Sequence, residues 1–296
     1  MENRSREELI LIAMHLDVPA VLKLCKTNKN INGKLCQNAD FWRRIILRDF
    51  PNFEFSTLIP ELKSLFPKDI YTLLYTTKVW KLDMDVNELY LAKELILDNR
   101  DIYIIPDNLK LPNLVFINLD ENLIEYIPEN IYLPKLEIMT IDNNRVNKIP
   151  ENLFMPNLQV LSLESNRIES IPEKFHFPVL KKLFLDYNVI ETIPELNLPT
   201  LQMLSIGSNK IKTIPEKLTL PNLQKLNLSW NQIEKIPENL NLSKLRIIYL
   251  SNNQITLLPE NLKFPNLEEI FLYGNKIQNL KEFVTKNRHI KGIWGF

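Results

Sequence analysis

One phrase of 22 residues, L-P-x-L-x-x-L-x-L-x-x-N-x-I-x-x-I-P-E-x-L-x, recurs along about two-thirds of this chain. Copies begin at Leu89, Leu111, Leu133, Met155, Phe177, Leu198, Leu220, Leu242 and Phe264, evenly except for one copy that is a residue short. A unit this small cannot bury its own apolar face, so the copies must stack, each turn covering the next. In Leu161-Ser162-Leu163 the alternation puts two leucines inward and one serine outward, which predicts one short strand per copy and a parallel sheet along the stack.

The asparagine at the twelfth place ends each strand: Asn122, Asn144, Asn166, Asn188, Asn209, Asn231, Asn253 and Asn275. A buried amide there is expected to bond backbone groups of its own and the neighbouring turn. Arg100 holds the place in the first copy, as befits a terminal repeat. On the far side, Pro128, Pro150, Pro172, Pro194, Pro215, Pro237 and Pro259 leave no room for a long helix, so extended chain and single 3₁₀ turns are expected. Ile290, Ile293, Trp294 and Phe296 are expected to close the last copy.

This pattern resembles the leucine-rich repeat family in its 22-residue form. The resemblance implies an α/β, right-handed solenoid with a parallel β-sheet on its concave face and a Pro-rich extended or 3₁₀ convex face. The repeats run from 89 to 285, with a cap at 286–296.

Before the repeats the pattern is helical. Leu9, Ile12 and Leu16, then Val18, Val21, Leu22 and Leu24, fall at helical spacing, split by Asp17-Val18-Pro19. An Asn/Lys-rich turn follows, then Asp40-Phe41-Trp42-Arg43 opens a third apolar run. Over the first fifty residues this order is similar to that of the F-box family, although Ser5 and Arg6 stand where that family has Leu-Pro. The resemblance implies docking to a Skp-type adaptor subunit of a cullin-RING ubiquitin ligase through Leu9, Ile12, Leu16, Val18, Pro19 and Leu22. The other reading of the segment is a helical cap on a solenoid, with Trp42 in the core either way. Residues 51–88, with Leu58, Leu62, Leu65, Phe66, Tyr71, Leu73, Leu74 and Trp80 punctuated by Pro60 and Pro67, are expected to form one or two linking helices.

Composition narrows the chemistry. Thirty-six Lys and Arg balance 36 Asp and Glu, so neither nucleic acid nor an anionic membrane is expected as a partner. The apolar run at residues 9–14 is flanked by Glu7, Glu8, His15 and Asp17, which suits an amphipathic helix and not a leader or a membrane span. Cys25 and Cys36 are too few for a disulfide framework, which points to a reducing, cytoplasmic setting. With five Gly, 19 Pro and three scattered His, no catalytic triad, metal cluster or nucleotide loop is in view, so no enzyme activity, cofactor or metal is expected. Asp83 to Glu94 is spaced like a calcium loop, but Glu88 replaces its essential Gly. Asn3-Arg4-Ser5, Asn227-Leu228-Ser229 and Asn241-Leu242-Ser243 match glycosylation acceptors by coincidence. An F-box-like start joined to Asn- and Ile-rich repeats resembles proteins of giant DNA viruses and protists, for which host cytoplasm would be the setting if viral.

Because the scaffold fixes the inward residues, the outward ones are left to encode a partner. The acids Asp98, Asp120, Asp142, Glu164 and Asp186 form one outward column. They are expected to cap their own turns, to form a groove for a basic segment, or both. Phe116, Phe184, Tyr249, Phe271 and Tyr273, with Tyr187 and Trp230 at the strand ends, add aromatic surface typical of protein contacts. The expected function is a substrate-recognition subunit binding a protein on the concave face, monomeric when alone. The other is a stand-alone interaction scaffold, such as a regulator of a phosphatase or small GTPase.

Overall fold

The computed structural model describes residues 5–175, 177–260 and 264–295, and leaves aside the side chain of Pro19. Phe296, His176 and the first two residues of the Asn3-Arg4-Ser5 triplet lie outside the described residues. The chain divides into two compact units, Met1–Tyr90 and Leu91–Phe296.

The N-terminal unit is helical, and side-chain caps start its first four α-helices. Helix α1 (Arg6–Ala13) opens on a capping box: the Ser5 hydroxyl accepts the Glu8 N–H at 3.3 Å, and the Glu8 carboxylate accepts the Ser5 N–H at 2.8 Å. Ser5 is therefore a helix cap at the place where the F-box resemblance leads one to expect leucine. Asp17 caps α2 (Val18–Thr27) and Asn28 caps the short α3 (Lys29–Ile31). A π-helical turn at Asn32–Cys36 leads to α4 (Ala39–Asp49), which Asn38 caps. Phe41, Trp42, Ile45 and Ile46 on α4 are completely buried, and the Trp42 indole N–H donates to the Cys36 carbonyl at 2.9 Å.

Residues 51–88 fall in the same compact unit as the residues before them. After a 3₁₀ turn (Phe55–Thr57) come α5 (Pro60–Lys63), α6 (Pro67–Val79) and α7 (Val86–Leu91). Tyr71 of α6 packs on the Trp42 ring, and its hydroxyl donates to Asp49 at 2.9 Å. Arg48 pairs with the same carboxylate while donating to the Met14 and Leu16 carbonyls, each at 2.9 Å. One arginine thus ties the end of α1 to α4, and through Asp49 to α6.

Cys25 and Cys36 are joined as a disulfide, with Cα atoms 6.1 Å apart. The sequence does not point to this pairing; packing of α2 against the π-helical turn brings the two cysteines together. No helix among the described residues is long and apolar enough to cross a membrane.

The second unit is a parallel-strand solenoid. Its strands are β1 (Glu94–Ile96), β2 (Phe116–Asn118), β3 (Ile138–Thr140), β4 (Val160–Ser162), β5 (Lys182–Phe184), β6 (Met203–Ser205), β7 (Lys225–Asn227), β8 (Ile247–Tyr249), β9 (Glu269–Phe271) and β10 (Gly292–Trp294). They form one sheet in chain order, every neighbour parallel and each pair in the register set by the repeat, so that Leu161 faces Met139 and Leu183. The centre of each strand from β1 to β9 is buried.

From Leu111 on, each copy opens on a hydrogen-bonded turn, as in Leu114 N–H to the Leu111 carbonyl at 3.3 Å and Leu201 to Leu198 at 3.2 Å. The Pro at the second place sits where such a turn wants φ preset. The far side is extended chain and turns, with isolated parallel bridges such as Lys110 to Tyr132 and Asn197 to Thr219. Single i→i+3 turns of the 3₁₀ type follow some of the column prolines, as in Leu109 N–H to the Pro106 carbonyl and Leu240 to Pro237, each at 3.3 Å.

The C-terminal segment departs from a simple cap. Lys281 stands at the place of the column proline, and the freed chain forms α8 (Leu280–Lys286) before returning as β10, a tenth strand. Ile290 is buried, but Trp294 is 45% exposed and lies on the concave sheet.

Candidate functional site

The Asn column does what buried amides require. Asn188 Oδ1 accepts the Ile168 N–H at 2.9 Å, and its Nδ2 donates to the carbonyls of Leu163 (2.9 Å), Leu185 (3.1 Å) and Asp186 (3.2 Å). Asn144, Asn166, Asn209, Asn231 and Asn253 repeat the arrangement. Arg100, exposed, only offers its backbone N–H to Asn122, at 3.0 Å. These bonds hold the strand ends in place and so fix the concave face.

On that face the acids reach across to the next repeat. Asp120 accepts the Asp142 N–H at 2.7 Å, Asp142 accepts the Glu164 N–H at 2.7 Å, and Asp186 accepts the Gly207 N–H at 2.9 Å. Ser162, outward on β4 yet buried, donates its hydroxyl to Asp142 at 2.7 Å. Each acid is expected to cap its own turn; at these three positions the carboxylate instead accepts from the backbone of the following repeat. Glu164, one methylene longer, has no such bond, and Asp98 is exposed.

Burial pushes the Asp142 carboxyl above the usual carboxylate range; the Ser162 hydroxyl and Glu164 N–H pull the other way, and Asp120 and Asp186 add to the rise. Glu164 is raised by burial and by the carboxylates of Asp186, Asp142 and Asp120. Asp186 is raised by burial, against the bonds from Ser205, Gly207 and Asn227. Only 7% of Asp186 is exposed, and its Oδ2 has no hydrogen-bond partner.

A feature unread in the sequence follows each acid-column residue. Asn99, Glu121, Asn143, Ser165, Tyr187, Ser208, Trp230, Asn252 and Gly274 all have positive φ, from 53° to 68°. Asn and Gly suit this left-handed turn; a bulky residue there costs on the order of 1–2 kcal/mol. Yet Tyr187 and Trp230 occupy it, each 64% exposed and gaining no burial in return. Asn and Gly at four of nine places were the signal for this turn.

The other aromatics lie inside the face. Phe116, Phe184, Tyr249 and Phe271 are half-buried, and Tyr273 is exposed. Tyr249 and Phe271 stack at 4.7 Å with planes 17° apart, and Trp294, missed as a concave residue, continues the stack at 6.1 Å and 15°. Gly292 makes room for the Trp294 ring, since a Cβ there would lie 2.6 Å from its Nε1.

With this geometry the comparisons agree. A leucine-rich repeat family model matches residues 134–190, and the model of the repeats of leucine-rich repeat and WD repeat-containing protein 1 matches residues 188–290. The chain is a leucine-rich repeat protein. Its repeats are similar to Listeria monocytogenes InlP, 22% identical with a TM-score of 0.63 over 75% of this chain and 67% of that one. The APL1 leucine-rich repeat domain is also 22% identical, with a TM-score of 0.58 over 69% of this chain and 56% of the other. A leucine-rich repeat protein of Leptospira interrogans is 27% identical over 62% of this chain and 55% of its own length, with a TM-score of 0.46. The chain thus spans little more than half of the Leptospira and APL1 chains. No curated protein matches. As 426 solved chains match, the leucine-rich repeat fold names no single partner, and the outward residues must do so.

In the helical unit, Leu9 and Val18, expected on the adaptor surface, are buried, as are Ala13 and Val21 on the same two helices. Ile12, Leu16 and Leu22 are half-buried, and Leu11, not singled out by the sequence, is 62% exposed. Of Pro19 only its place in the first turn of α2 is described. The calcium-loop spacing dissolves into a helix cap: Asp85 accepts the Asn87 and Glu88 N–H groups at 2.7 and 2.9 Å. No group of three or more metal-ligating side chains stands together among the described residues.

Proposed function

We propose that the repeats hold a protein partner on the concave face while the helical unit docks a Skp-type adaptor, making the chain a substrate receptor of a cullin-RING ubiquitin ligase. What carries the first half is Tyr187 and Trp230: two aromatics kept exposed in a backbone conformation that disfavours them, beside a stacked aromatic run. The second half is supported by the helix order, the Phe41-Trp42 core and the apolar residues Leu11, Ile12, Leu16 and Leu22 left in contact with water. Such a receptor supplies proximity between a ligase and its target and needs no catalytic group of its own.

Calorimetry of the full chain with a purified Skp-type adaptor tests the docking half. Binding in the micromolar range, about −8 kcal/mol, is expected, weakened at least tenfold by the double variant Leu11→Glu, Leu22→Glu. No heat from a folded chain would reduce the reading to its other form, a stand-alone scaffold. For the concave half, the joint Tyr249→Ser, Phe271→Ser variant is expected to lose a partner cross-linked to the repeats; full retention would move the binding surface elsewhere.

A further inference from the structure

Three successive repeats carry the same outward chemistry in the same order. The first outward place holds Phe116, Ile138 and Val160, the second Asn118, Thr140 and Ser162. The third, just past the strand ends, holds Asp120, Asp142 and Glu164. The strand register lines up the first two sets across β2, β3 and β4, so the face here has an apolar lane, a small polar lane and an acid lane. The pattern is bounded, because Glu94 precedes the apolar lane and Lys182 follows it. Both outer lanes are half-buried and so remain in contact with solvent. In each repeat the middle side chain is smaller than the apolar one beside it, and Ser162 is buried. A rod laid along the stack can therefore touch both outer lanes at once.

Spacing selects the rod. The lanes repeat about every 4.8 Å along the stack, and an α-helix laid that way advances about 5.4 Å per turn. Over three repeats the two drift apart by only about 1 Å, so one turn meets one repeat. An extended strand puts same-side residues about 6.6 Å apart and loses more than a third of a repeat at each step. Four residues of strand separate the outer lanes, about 13 Å, close to the 10–12 Å width of a helix. Charge selects its flank. Among the described residues no lysine or arginine pairs with Asp120, Asp142 or Glu164. The first two accept backbone N–H groups and the Ser162 hydroxyl, and Glu164 accepts no hydrogen bond. Burial raises the Asp142 and Glu164 carboxyls, and the charges that add to it are neighbouring carboxylates. A cation from outside is what would balance this lane.

We propose that these three repeats seat one amphipathic α-helix of a protein partner, laid along the stack with its apolar stripe on Phe116, Ile138 and Val160 and a basic flank on the acid lane. Helix residues at i, i+4 and i+7 form the stripe, and lysines or arginines at i+1, i+5 and i+8 lie about 100° round from it, over the carboxylates. The assignment rests on the concave-face reading above and deepens it.

The probe is a synthetic Ala/Gln peptide of about fifteen residues, capped at both ends, with leucines at i, i+4 and i+7 and lysines at i+1, i+5 and i+8. Titrated into the full chain and followed by fluorescence anisotropy, it is expected to bind saturably below millimolar concentration at low salt. A control with the lysines moved opposite the leucines keeps the composition and should bind about tenfold more weakly, as should one with a central proline, which breaks the helix. Ile138→Thr keeps a strand-forming residue and is expected to weaken the matched peptide about fivefold. Glu164→Gln, which leaves no backbone group unpaired, should weaken it about twofold, a difference that vanishes in about 1 M salt. No saturable binding of the matched peptide, equal binding by either control, or unchanged affinity in Ile138→Thr would each overturn the helix seat. The concave-face reading would then still be decided by the cross-linked partner, whose test changes only Tyr249 and Phe271.

Discussion

Two adjacent residues on the fifth repeat show how differently the same turn weighs its positions. Asn188 closes one bond to a backbone N–H and three to carbonyls. Asn188→Ala would strand these groups in a dry interior and should lower stability by about 1–3 kcal/mol in urea unfolding. One residue earlier, Tyr187 holds φ at +56° with its ring in water. Tyr187→Asn should therefore raise stability by up to about 1 kcal/mol, and Trp230→Asn likewise, because Asn enters the left-handed region more readily. A loss of stability in both aromatic variants would show that the rings pack in the free protein. The Asn ladder was legible in the sequence because it recurs every 22 residues with one identity. The left-handed column was not, because Asn, Glu, Ser, Tyr, Trp and Gly share it and only the backbone unites them.

At the scale of elements, legibility followed periodicity and failed where a contact is made by packing. The strands came from an alternation that each copy repeats, so the register between Leu161 and Leu183 follows from the repeat length alone. The helix α8 was hidden because its cause is a single absence, Lys281 in the column of prolines. The burial of Leu9 and Val18 was hidden too, since helical spacing shows that a face is apolar and not which neighbour covers it. The Cys25–Cys36 bond depends on α2 folding back along the π-helical turn, a geometry with no sequence period. That bond closes a short loop, with a sequence separation of 11. Restricting such a loop in the unfolded chain is worth about 2–3 kcal/mol. Mass spectrometry of unreduced protein should find both cysteines blocked to alkylation, and Cys25→Ser, Cys36→Ser should lower the unfolding midpoint of the helical unit. Full alkylation of both thiols in the native, unreduced protein would remove the crosslink from this account.

Across the whole molecule, acid should act in opposite directions on the two units. In the helical unit burial pushes Asp49 up, but the hydrogen bonds from Arg48 and Tyr71 outweigh it and hold the carboxyl below its usual range. Its contribution is in place above the ordinary carboxylate pKa and is lost as pH falls through the lower folded value. In the repeats Asp142, Glu164 and Asp186 are raised, first by burial. Between the ordinary carboxylate value and the raised one, the folded repeats bind protons that the unfolded chain has released, so stability falls as pH rises through that window and levels off above it. Lowering pH from neutral should therefore raise the melting temperature of the repeats before it weakens the helices. Glu164 is the place to test this, because it has like charges on both sides and caps nothing. Glu164→Gln should gain about 0.2–1 kcal/mol at neutral pH and flatten the rise on acidification. The gain should shrink in 1 M salt, where charges are screened beyond about 3 Å. If the variant and the parent kept the same pH slope at low salt, repulsion along the acid column would not be what the protein balances, and the face could not be drawing in a cation to relieve it.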